Sequence, residues 1–430
     1  MEGTLLIALL VIILFGILLI SGVPLFVSLL TASFAGFYAL GGWNLAATNM
    51  ISIITNFVSS YVLTVIPIFI FMGNLAYQTG ILEDVFKVAK IWFGRLKGGL
   101  AISTVVANAI FAACSGSSLS ATLVIGKEAF PLMRKSGYPD TLSSGVVAAS
   151  GTLASLIPPS ILLCIYALMV EQSVGKLLIA GIMPGIVSAI IYSIYVTMFC
   201  LKMPISTEKY SIKEKLGAVR HLWVVVILVV AIMYSMYTGW ATPTEAGAVG
   251  ACVIFILAAS LRRISWKRFL ASMRSTAFVT AQILIVVGAA IFFGRFLVFS
   301  GLSVVICEAF IGLELHRVFI FMLVTILYLG LGCFMGAVGM MAVSLPIIYP
   351  IMMSLGYDPL WFGIIVVIFS ETALISPPIG MNVYAAKSVV DDVPLTTVFK
   401  GSFGFMCMDV LTVVVLYVFP WIITFLPSLM

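Results

Sequence analysis

Two pairs of consecutive prolines interrupt long apolar segments of the sequence. They lie in LIPPS (156–160) and in ISPPIG (375–380). A proline has no backbone N–H and clashes with the preceding helical turn, so two in succession open a helix over several residues. The carbonyl oxygens of the turn before the prolines then lose their hydrogen-bond donors, which is costly in hydrocarbon. A bound cation is one partner that would satisfy such oxygens, because hard cations take oxygen ligands.

Small and hydroxyl-bearing residues flank both proline pairs. They are Gly151, Thr152, Ser155 and Ser160 at the first pair, and Thr372, Ser376, Gly380 and Asn382 at the second. A simple proline kink, satisfied by neighbouring Ser or Thr hydroxyls, would explain one such pair. The recurrence of the arrangement in two parts of the chain favours a binding site.

Two other apolar regions contain a short stretch that favours a turn. ACSGSSLSAT (113–122) has four serines, a threonine and a glycine, whereas FMGAVGMMAVS (334–344) has Gly336 and Gly339 and no hydroxyl before Ser344. Glycine permits a tight turn, and helix ends aimed into a cavity offer carbonyls to a cation or amides to an anion. Serines that merely pack at small-residue helix interfaces are the alternative.

The elements that carry these residues form an internal repeat. PLMRKSGYPD (131–140) aligns with PIMMSLGYDP (350–359), an offset of 219 residues. The same offset places Pro158–Pro159 on Pro377–Pro378 and Cys114 on Cys333. Each proline pair therefore follows its turn at an equivalent place in the two copies.

The composition places the repeat in a membrane. The chain has 430 residues, of which 63% are hydrophobic and 9% charged, and its mean hydropathy is +1.24. Soluble domains carry about 25% charged residues. Many runs approach the roughly 20 apolar residues that span a bilayer. We therefore predict an all-α polytopic membrane protein surrounded by a lipid bilayer.

Basic residues fix the predicted topology. Lys and Arg cluster in four segments, 87–97, 127–135, 202–220 and 262–274, which the positive-inside rule assigns to the cytoplasm. All four fall inside if the apolar regions 98–130 and 318–349 are re-entrant hairpins, and both termini are then periplasmic. The predicted spans are about 4–20, 24–41, 61–79, 141–169, 177–200, 222–239, 245–261, 277–299, 358–386 and 401–425. Segments 81–97 and 301–315 are interpreted as amphipathic helices along the membrane faces.

This topology gives the two copies opposite orientations, a feature of secondary transporters. The predicted organisation has N-terminal scaffold helices (1–60), a first repeat (61–200), a cytoplasmic loop with scaffold helices (201–276), and a second, inverted repeat (277–430). The first repeat contains a hairpin at about 98–135 and a broken helix at about 141–169. The second contains a hairpin at about 318–355 and a broken helix at about 358–386.

The patterns of several enzyme classes are missing from the sequence. There is no G-x-x-x-x-G-K-[ST] phosphate loop and no H-E-x-x-H. GSSLS (116–120) lacks the last glycine of a nucleophile elbow. With only His221 and His316, a histidine metal site is not expected, and we predict no enzyme activity. Glu371 is an acid within a span, which indicates either a proton relay or a residue that caps or pairs within the bundle.

The chain resembles the large membrane subunit of tripartite ATP-independent periplasmic (TRAP) transporters, the DctM-like family. The resemblance covers essentially the whole chain, without a single motif as specific as a metal-ligand signature. The segments that carry it are IPIFIFMGNLAYQTG (66–80), CSGSSLSAT (114–122), GTLASLIPPS (151–160), LGCFMGAVGMMAVSLPIIYPI (331–351) and ETALISPPIGMNVY (371–384).

The resemblance implies sodium-driven import by an inverted-repeat, elevator-type fold, in which the hairpins and broken helices slide against a fixed scaffold. One Na⁺ would lie between the first turn and the first break, and a second between the second turn and the second break. The implied sodium residues are Ser115, Ser118, Gly151, Thr152, Ile157 and Pro158 at the first site, and Gly336, Gly339, Thr372, Ser376 and Met381 at the second. The expected substrate-binding residues are Ser115, Gly116, Ser117, Ser160, Gly380 and Asn382.

The implied partners are a small four-helix membrane subunit and a periplasmic binding protein that delivers an organic acid, such as a dicarboxylate, sialic acid or a sugar acid. The implied location is the bacterial inner membrane, and no nucleic acid is expected. A stand-alone divalent-anion/sodium symporter of related architecture is the first alternative. An intramembrane enzyme or a passive scaffold is the second.

Overall fold

The regular secondary structure is all helical in the residues that the computed structural model describes, which are 2–80, 84–201, 203, 210–220, 223–312, 315–332 and 335–430. The all-α prediction is therefore confirmed for this part of the chain. Cys333 and Phe334, which belong to the repeat alignment and to the second predicted turn, lie outside the described residues, as does His221.

Within the described residues the helices number α1 to α21, with three short 3₁₀ helices at Tyr61–Thr64, Gly151–Ser155 and Pro427–Leu429. The α-helices are α1 Glu2–Ile20, α2 Leu25–Val58, α3 Val65–Thr79, α4 Asp84–Phe93, α5 Gly99–Ser115, α6 Ser118–Lys135, α7 Asp140–Ser150, α8 Ile161–Met169, α9 Val174–Ala180, α10 Ile182–Cys200, α11 Ile212–Val219, α12 Trp223–Tyr237, α13 Pro243–Ser260, α14 Trp266–Phe299, α15 Leu302–Gly312, α16 Arg317–Gly332, α17 Ala337–Ser354, α18 Pro359–Ala373, α19 Met381–Val389, α20 Leu395–Val418 and α21 Trp421–Thr424.

Many of these helices match a bilayer in length and composition. In the described ranges, eight helices or runs of adjoining helices are long and apolar enough to cross a membrane. They are Gly3–Ile20, Leu25–Val58, Tyr61–Thr79, Val174–Cys200, Pro243–Ser260, Trp266–Phe299, Ala337–Ser354 and Leu395–Val418. Shorter apolar helices, among them α5 and α18, accompany them. The chain is therefore a multi-pass membrane protein.

Two helices extend beyond the predicted spans. α2 continues to Val58 past the predicted end at residue 41, and it is interrupted at Gly41–Gly42, where Gly42 has φ 71°. α14 begins at Trp266, where the Ser265 hydroxyl accepts a hydrogen bond from the Arg268 N–H (3.3 Å), although its span was predicted from residue 277. The predicted end of the α2 span thus coincides with this interruption. α14 is longer than predicted because an apolar run marks the part of a helix that contacts lipid, whereas a cap marks where the helix begins.

The first proline pair separates α7 from α8. The helical turns of α7 tighten into the 3₁₀ helix Gly151–Ser155, and α8 begins after Ser160. The Ser160 hydroxyl caps α8 by accepting a hydrogen bond from the Leu163 N–H (3.2 Å). The chain thus contains a non-helical segment in the middle of the predicted span 141–169.

The second proline pair separates α18 from α19. The Asp358 carboxylate caps the start of α18 by accepting from the Trp361 N–H (2.8 Å). α18 ends at Ala373, and α19 starts after Gly380, which has φ 45°. The Pro158–Pro159 and Pro377–Pro378 peptide bonds are both cis. Both predicted helix interruptions are therefore present.

Close helix contacts surround the two interruptions. Gly145 on α7 faces Gly401 on α20, where an added Cβ at Gly401 would lie 3.0 Å from the Gly145 Cα.

A separate apolar cluster joins α1, α2 and α14, with Phe37 packed on Phe292 and Phe296 at ring-centroid distances of 5.4 Å. The interrupted helices thus belong to a core distinct from that of the N-terminal helices.

A polar cluster holds three segments together at one end of the core. Arg134, in the last turn of α6, forms an ion pair with Asp140 at the start of α7 (3.1 Å) and another with Asp392, which follows α19. The hydrogen bond from the Arg134 guanidinium lowers the pKa of the Asp392 carboxyl below its ordinary value. These groups are exposed, so the contribution of the cluster to stability is small.

Candidate functional site

The first turn lies directly against the first proline pair. α5 ends at Ser115, the chain reverses at Gly116 (φ 58°), and Ser117 caps α6 by accepting a hydrogen bond from the Ser120 N–H (3.4 Å). A Cβ added at Gly116 would lie 2.5 Å from the Pro159 carbonyl oxygen. The left-handed φ and this close approach both require glycine at the turn.

The interruption itself packs on the first turn of α6. A Cβ added at Gly151 would overlap the Thr122 hydroxyl and would lie 2.8 Å from the Ser118 carbonyl oxygen. The Thr122 hydroxyl is buried and has no hydrogen-bond partner among the described residues. The structure therefore brings Ser115, Gly116, Ser118, Gly151 and Pro159 into one small region. The resemblance implied that the first turn and the first interruption lie together.

Three of the four carbonyls freed by the prolines find protein donors. In an uninterrupted α-helix, the backbone N–H at position 159 would donate to the Ser155 carbonyl, and those at positions 377 and 378 to the Ala373 and Leu374 carbonyls. Proline at these positions has no N–H to donate. The Ser155 carbonyl instead accepts from the Ser160 hydroxyl, the Ala373 carbonyl from the Ser376 hydroxyl (3.1 Å), and the Leu374 carbonyl from the Asn382 N–H (2.9 Å). These three oxygens are therefore less available to an ion than the sequence alone indicates.

Glu371 lies between the first turn and the first interruption. Its Oε2 accepts a hydrogen bond from the Ser118 hydroxyl (2.7 Å), and its Oε1 accepts one from the Ser155 hydroxyl. The two serine hydroxyls are 3.0 Å apart. Since Glu371 is in the last turn of α18, an acid from the second copy closes a site built by the first. The interpretation of Glu371 as a residue that pairs within the bundle fits this geometry.

Asp409, on α20, is a second buried acid, and it is not among the residues predicted from the sequence. Its Oδ1 accepts from the Tyr192 hydroxyl (2.5 Å), and its Oδ2 accepts from the Thr372 hydroxyl (3.1 Å). Tyr192 in turn lies 3.4 Å from the Thr152 hydroxyl. The signal was present, because Asp409 interrupts the apolar run FMCMDVLTVVV (405–415), and an acid at such a position suggests function.

The second turn contacts the second interruption through one of its two glycines. A Cβ added at Gly336 would lie 3.0 Å from the Met381 methyl carbon, whereas one added at Gly339 would lie 2.8 Å from Leu25 on α2. Gly336 and Met381 therefore lie together, as the resemblance implied, while Gly339 faces an N-terminal helix. Gly332, at the end of α16, packs closely on Ala373.

The remaining predicted residues sit at helix N-termini. Ser117, Ser160 and Gly380 directly precede α6, α8 and α19. Asn382, in the first turn of α19, is fully buried, and both polar atoms of its side chain lack a hydrogen-bond partner in the described part of the chain. Such a group suits a ligand, because buried amides are normally hydrogen-bonded.

The donor set suits a small hard cation. Hydroxyl, carboxylate and carbonyl oxygens are ligands for alkali and alkaline-earth ions. In the described residues, neither Glu371 nor Asp409 forms an ion pair, and no cluster of three His, Cys, Asp or Glu residues is found. Individual sodium ligands, including Ile157 and Ser376, stay predictions.

Comparisons with known proteins agree with this architecture. The family model described as "Tripartite ATP-independent periplasmic transporter, DctM component" matches residues 11–422. The C4-dicarboxylate TRAP transporter large permease protein DctM of Pseudomonas aeruginosa is 33% identical, over 86% of this chain and 85% of that protein. The sialic acid TRAP transporter large permease protein SiaM of Vibrio cholerae is 28% identical, over 96% of each chain. The ectoine TRAP transporter large permease protein TeaC of Halomonas elongata is 29% identical, over 96% of this chain and 97% of that protein.

Solved structures share the fold at low sequence identity. The YdaH transporter of Alcanivorax borkumensis superposes with a TM-score of 0.59 and 14% identity, covering 87% of this chain and 89% of that one. MtrF of Neisseria gonorrhoeae superposes with a TM-score of 0.60 and 12% identity, covering 86% and 83%. The fold is thus that of a polytopic membrane transporter, and the homologues are permease subunits.

Proposed function

Since the chain belongs to the DctM component family of tripartite ATP-independent periplasmic transporters, we propose that it is the membrane subunit of a sodium-coupled importer for an organic acid. The chain is a large permease subunit of a TRAP transporter for organic acids, like its relatives. The coupling ion, the identity of the acid and the mode of movement are the parts proposed here.

A single observation carries the sodium proposal: two buried acids accept hydrogen bonds from hydroxyl groups and form no ion pair within the described residues. Glu371 and Asp409 are 3% and 5% exposed, and each accepts hydrogen bonds from two hydroxyl groups. Buried charges in proteins are normally paired or coordinate metal ions. A monovalent cation bound beside these groups supplies the missing positive charge.

The organic-acid proposal rests on the positive ends of three helices. α6, α8 and α19 all begin at the two interruptions and the first turn, where their N–H groups and helix dipoles favour a negative charge. The buried Asn382 amide adds an unpaired polar group at the start of α19. An acid bound there would contact α6 and α8 from the first copy and α19 from the second.

The same family membership supports the rest of the proposed assembly. We propose that a small four-helix membrane subunit braces this chain and that a periplasmic binding protein delivers the acid. The proposed location is the bacterial inner membrane with both termini in the periplasm, and the proposed movement is an elevator. In that movement the two turns and the two interrupted helices shift together against the scaffold helices.

Uptake by reconstituted vesicles tests the proposed function. We expect vesicles containing this chain and the small subunit to accumulate the acid only with its binding protein present and with an inward Na⁺ gradient. An equal K⁺ gradient serves as the control, because it matches the osmotic and ionic conditions. Equal uptake without the binding protein would support the stand-alone symporter, and uptake independent of Na⁺ would refute sodium coupling.

Thr372→Ala should raise the Na⁺ concentration needed for half-maximal uptake by about tenfold, equivalent to about 1.4 kcal/mol. The change removes an oxygen at the second interruption and the hydrogen bond to Asp409. Thr372→Ser is the matched control, because it keeps the hydroxyl and should keep the sodium dependence close to wild type. Sodium titrations of uptake at equal membrane expression measure both. Curves for the alanine variant that overlay wild type would exclude Thr372 from the sodium site.

A further inference from the structure

The carboxylate of Glu371 lies inside the predicted first cation site, although it belongs to the second copy. We propose that Glu371 is the charged ligand of that site, holding a monovalent cation together with the Ser118 and Ser155 hydroxyl oxygens. This inference rests on the proposed sodium coupling. It gives Glu371, whose role the sequence did not decide, a place among the ligands of the first site.

The geometry places three oxygen-bearing groups around one point. The Ser118 hydroxyl is 2.7 Å from the Glu371 Oε2 and 3.0 Å from the Ser155 hydroxyl, which itself bonds the Glu371 Oε1. All three side chains are buried, at 6% exposure or less. Rotating the two hydroxyls turns their lone pairs inward, so a cation at this point would contact oxygens from three separate elements.

Charge also favours a cation at this point. The hydroxyls are neutral donors, and in the described part of the chain no Lys, Arg or His pairs with Glu371. An ionised carboxylate buried without a compensating charge is strongly unfavourable. One bound monovalent cation balances one carboxylate. An anionic substrate is excluded from the same point by like-charge repulsion.

Fewer backbone carbonyl oxygens are free to coordinate a cation at this site than the proline pair suggests. The Ser155 carbonyl already accepts a hydrogen bond from the Ser160 hydroxyl. Side chains therefore have to provide part of the coordination. A divalent ion suits the site less well, because such ions usually take several carboxylates or keep their water, and the described residues hold no cluster of three acidic, histidine or cysteine side chains.

Because Glu371 is on α18, the first ion would link separate segments of the fold. The ion would connect the turn before α6, the interruption after α7 and the last turn of α18. The next residue, Thr372, belongs to the predicted second site and bonds Asp409. Binding of the first ion would thus order the residue beside the second site, which favours cooperative binding of two ions.

Thermal stabilisation of the purified full chain by Na⁺ tests this assignment without measuring transport. The wild type should melt at a higher temperature as NaCl replaces choline chloride, with KCl as a second comparison. Glu371→Gln keeps the shape and one hydrogen-bond acceptor but removes the charge. It should raise the midpoint Na⁺ concentration of the stabilisation by at least about tenfold, whereas Glu371→Asp should shift it less.

Ser370→Ala is the matched control for disturbing α18. The Ser370 hydroxyl is equally buried, and its one bond among the described residues is to the Val366 carbonyl of its own helix (2.8 Å). The midpoint of Ser370→Ala should therefore equal that of wild type. If Glu371→Gln does not fold, Ser155→Ala replaces it and should also raise the midpoint.

The outcomes separate this inference from the proposed function. A wild type that Na⁺ stabilises no better than choline would refute sodium binding altogether. A normal wild-type response that Glu371→Gln, or Ser155→Ala in its place, leaves unchanged would refute the role of Glu371 alone. A raised midpoint in Ser370→Ala would also overturn the assignment, because it would show that any disturbance of α18 weakens the response.

Discussion

Gly151→Val should reduce sodium-driven uptake by about 100-fold while the protein still reaches the membrane. A side chain at this position would meet the Thr122 hydroxyl and the Ser118 carbonyl oxygen, so the first interruption could no longer lie against the first turn of α6. Ser155 would then move away from Ser118 and Glu371, and misplacing interacting groups by about 1 Å can cost about 100-fold in rate. Uptake into vesicles under a fixed Na⁺ gradient measures the loss.

Gly330→Val is the control for this substitution. Gly330 also lies in an apolar helix, but an added Cβ there meets no atom of the described residues within 4 Å. Its uptake should be close to wild type. Gly151→Ala should fall between the two, because its single methyl group is displaced more easily. Wild-type uptake by Gly151→Val at equal expression would show that the contact between interruption and turn is not needed for transport.

The interruptions of the two broken helices could be predicted from the sequence because their cause is local. Two prolines remove two donors whatever surrounds them, and the structure has non-helical segments at both places. The glycine reversal at Gly116 is local in the same sense. The opposite orientation of the two copies depends on the membrane, and it stays a prediction.

The partners of Glu371 could not be predicted, because they depend on tertiary packing. Ser118 and Ser155 are 253 and 216 residues away from it in the chain. An acid within a predicted span indicates a polar partner, but the sequence does not indicate which of the many serines in the apolar segments provides it. Long-range contacts of this kind follow only from how helices pack.

The hydrogen-bond partners of the freed carbonyls could not be predicted from the sequence either. The sequence shows that Pro378 removes the donor to Leu374, yet the replacement donor is the Asn382 N–H, beyond the interruption. This bond folds the segment back on itself and leaves the Asn382 side chain buried without a partner among the described residues. We therefore expect side-chain oxygens, together with any carbonyls that remain free, to coordinate the ion.

The two candidate cation sites differ chemically, although the copies that form them are related. The offset of 219 residues places Ala337 opposite Ser118 and Glu371 opposite Thr152. The second turn thus has no hydroxyl at the position of Ser118. Its nearby acid is Asp409, which comes from α20 and bonds Thr372. Both carboxylates therefore come from the second copy, and we expect the two sites to differ in affinity.

Asp409→Leu should abolish sodium-dependent uptake and lower the melting temperature. The Tyr192 hydroxyl would lose its acceptor, and the Thr372 hydroxyl would keep the Ile368 carbonyl of its own helix (2.8 Å) as its one acceptor among the described residues. A buried polar group left unpaired costs about 1–3 kcal/mol. Thr372 would also lose the contact that orients it toward the second interruption.

Asp409→Asn is the informative comparison, because its amide oxygen still accepts from one hydroxyl and its fold should survive. We expect the asparagine variant to retain assembly but to need more Na⁺ for uptake. Tyr192→Phe should weaken uptake less, since Thr372 keeps its bond to Asp409, and Tyr195→Phe, one helical turn away on α10, should match wild type. An Asp409→Asn protein with wild-type sodium dependence would mean that Asp409 only stabilises the packing of α10, α18 and α20.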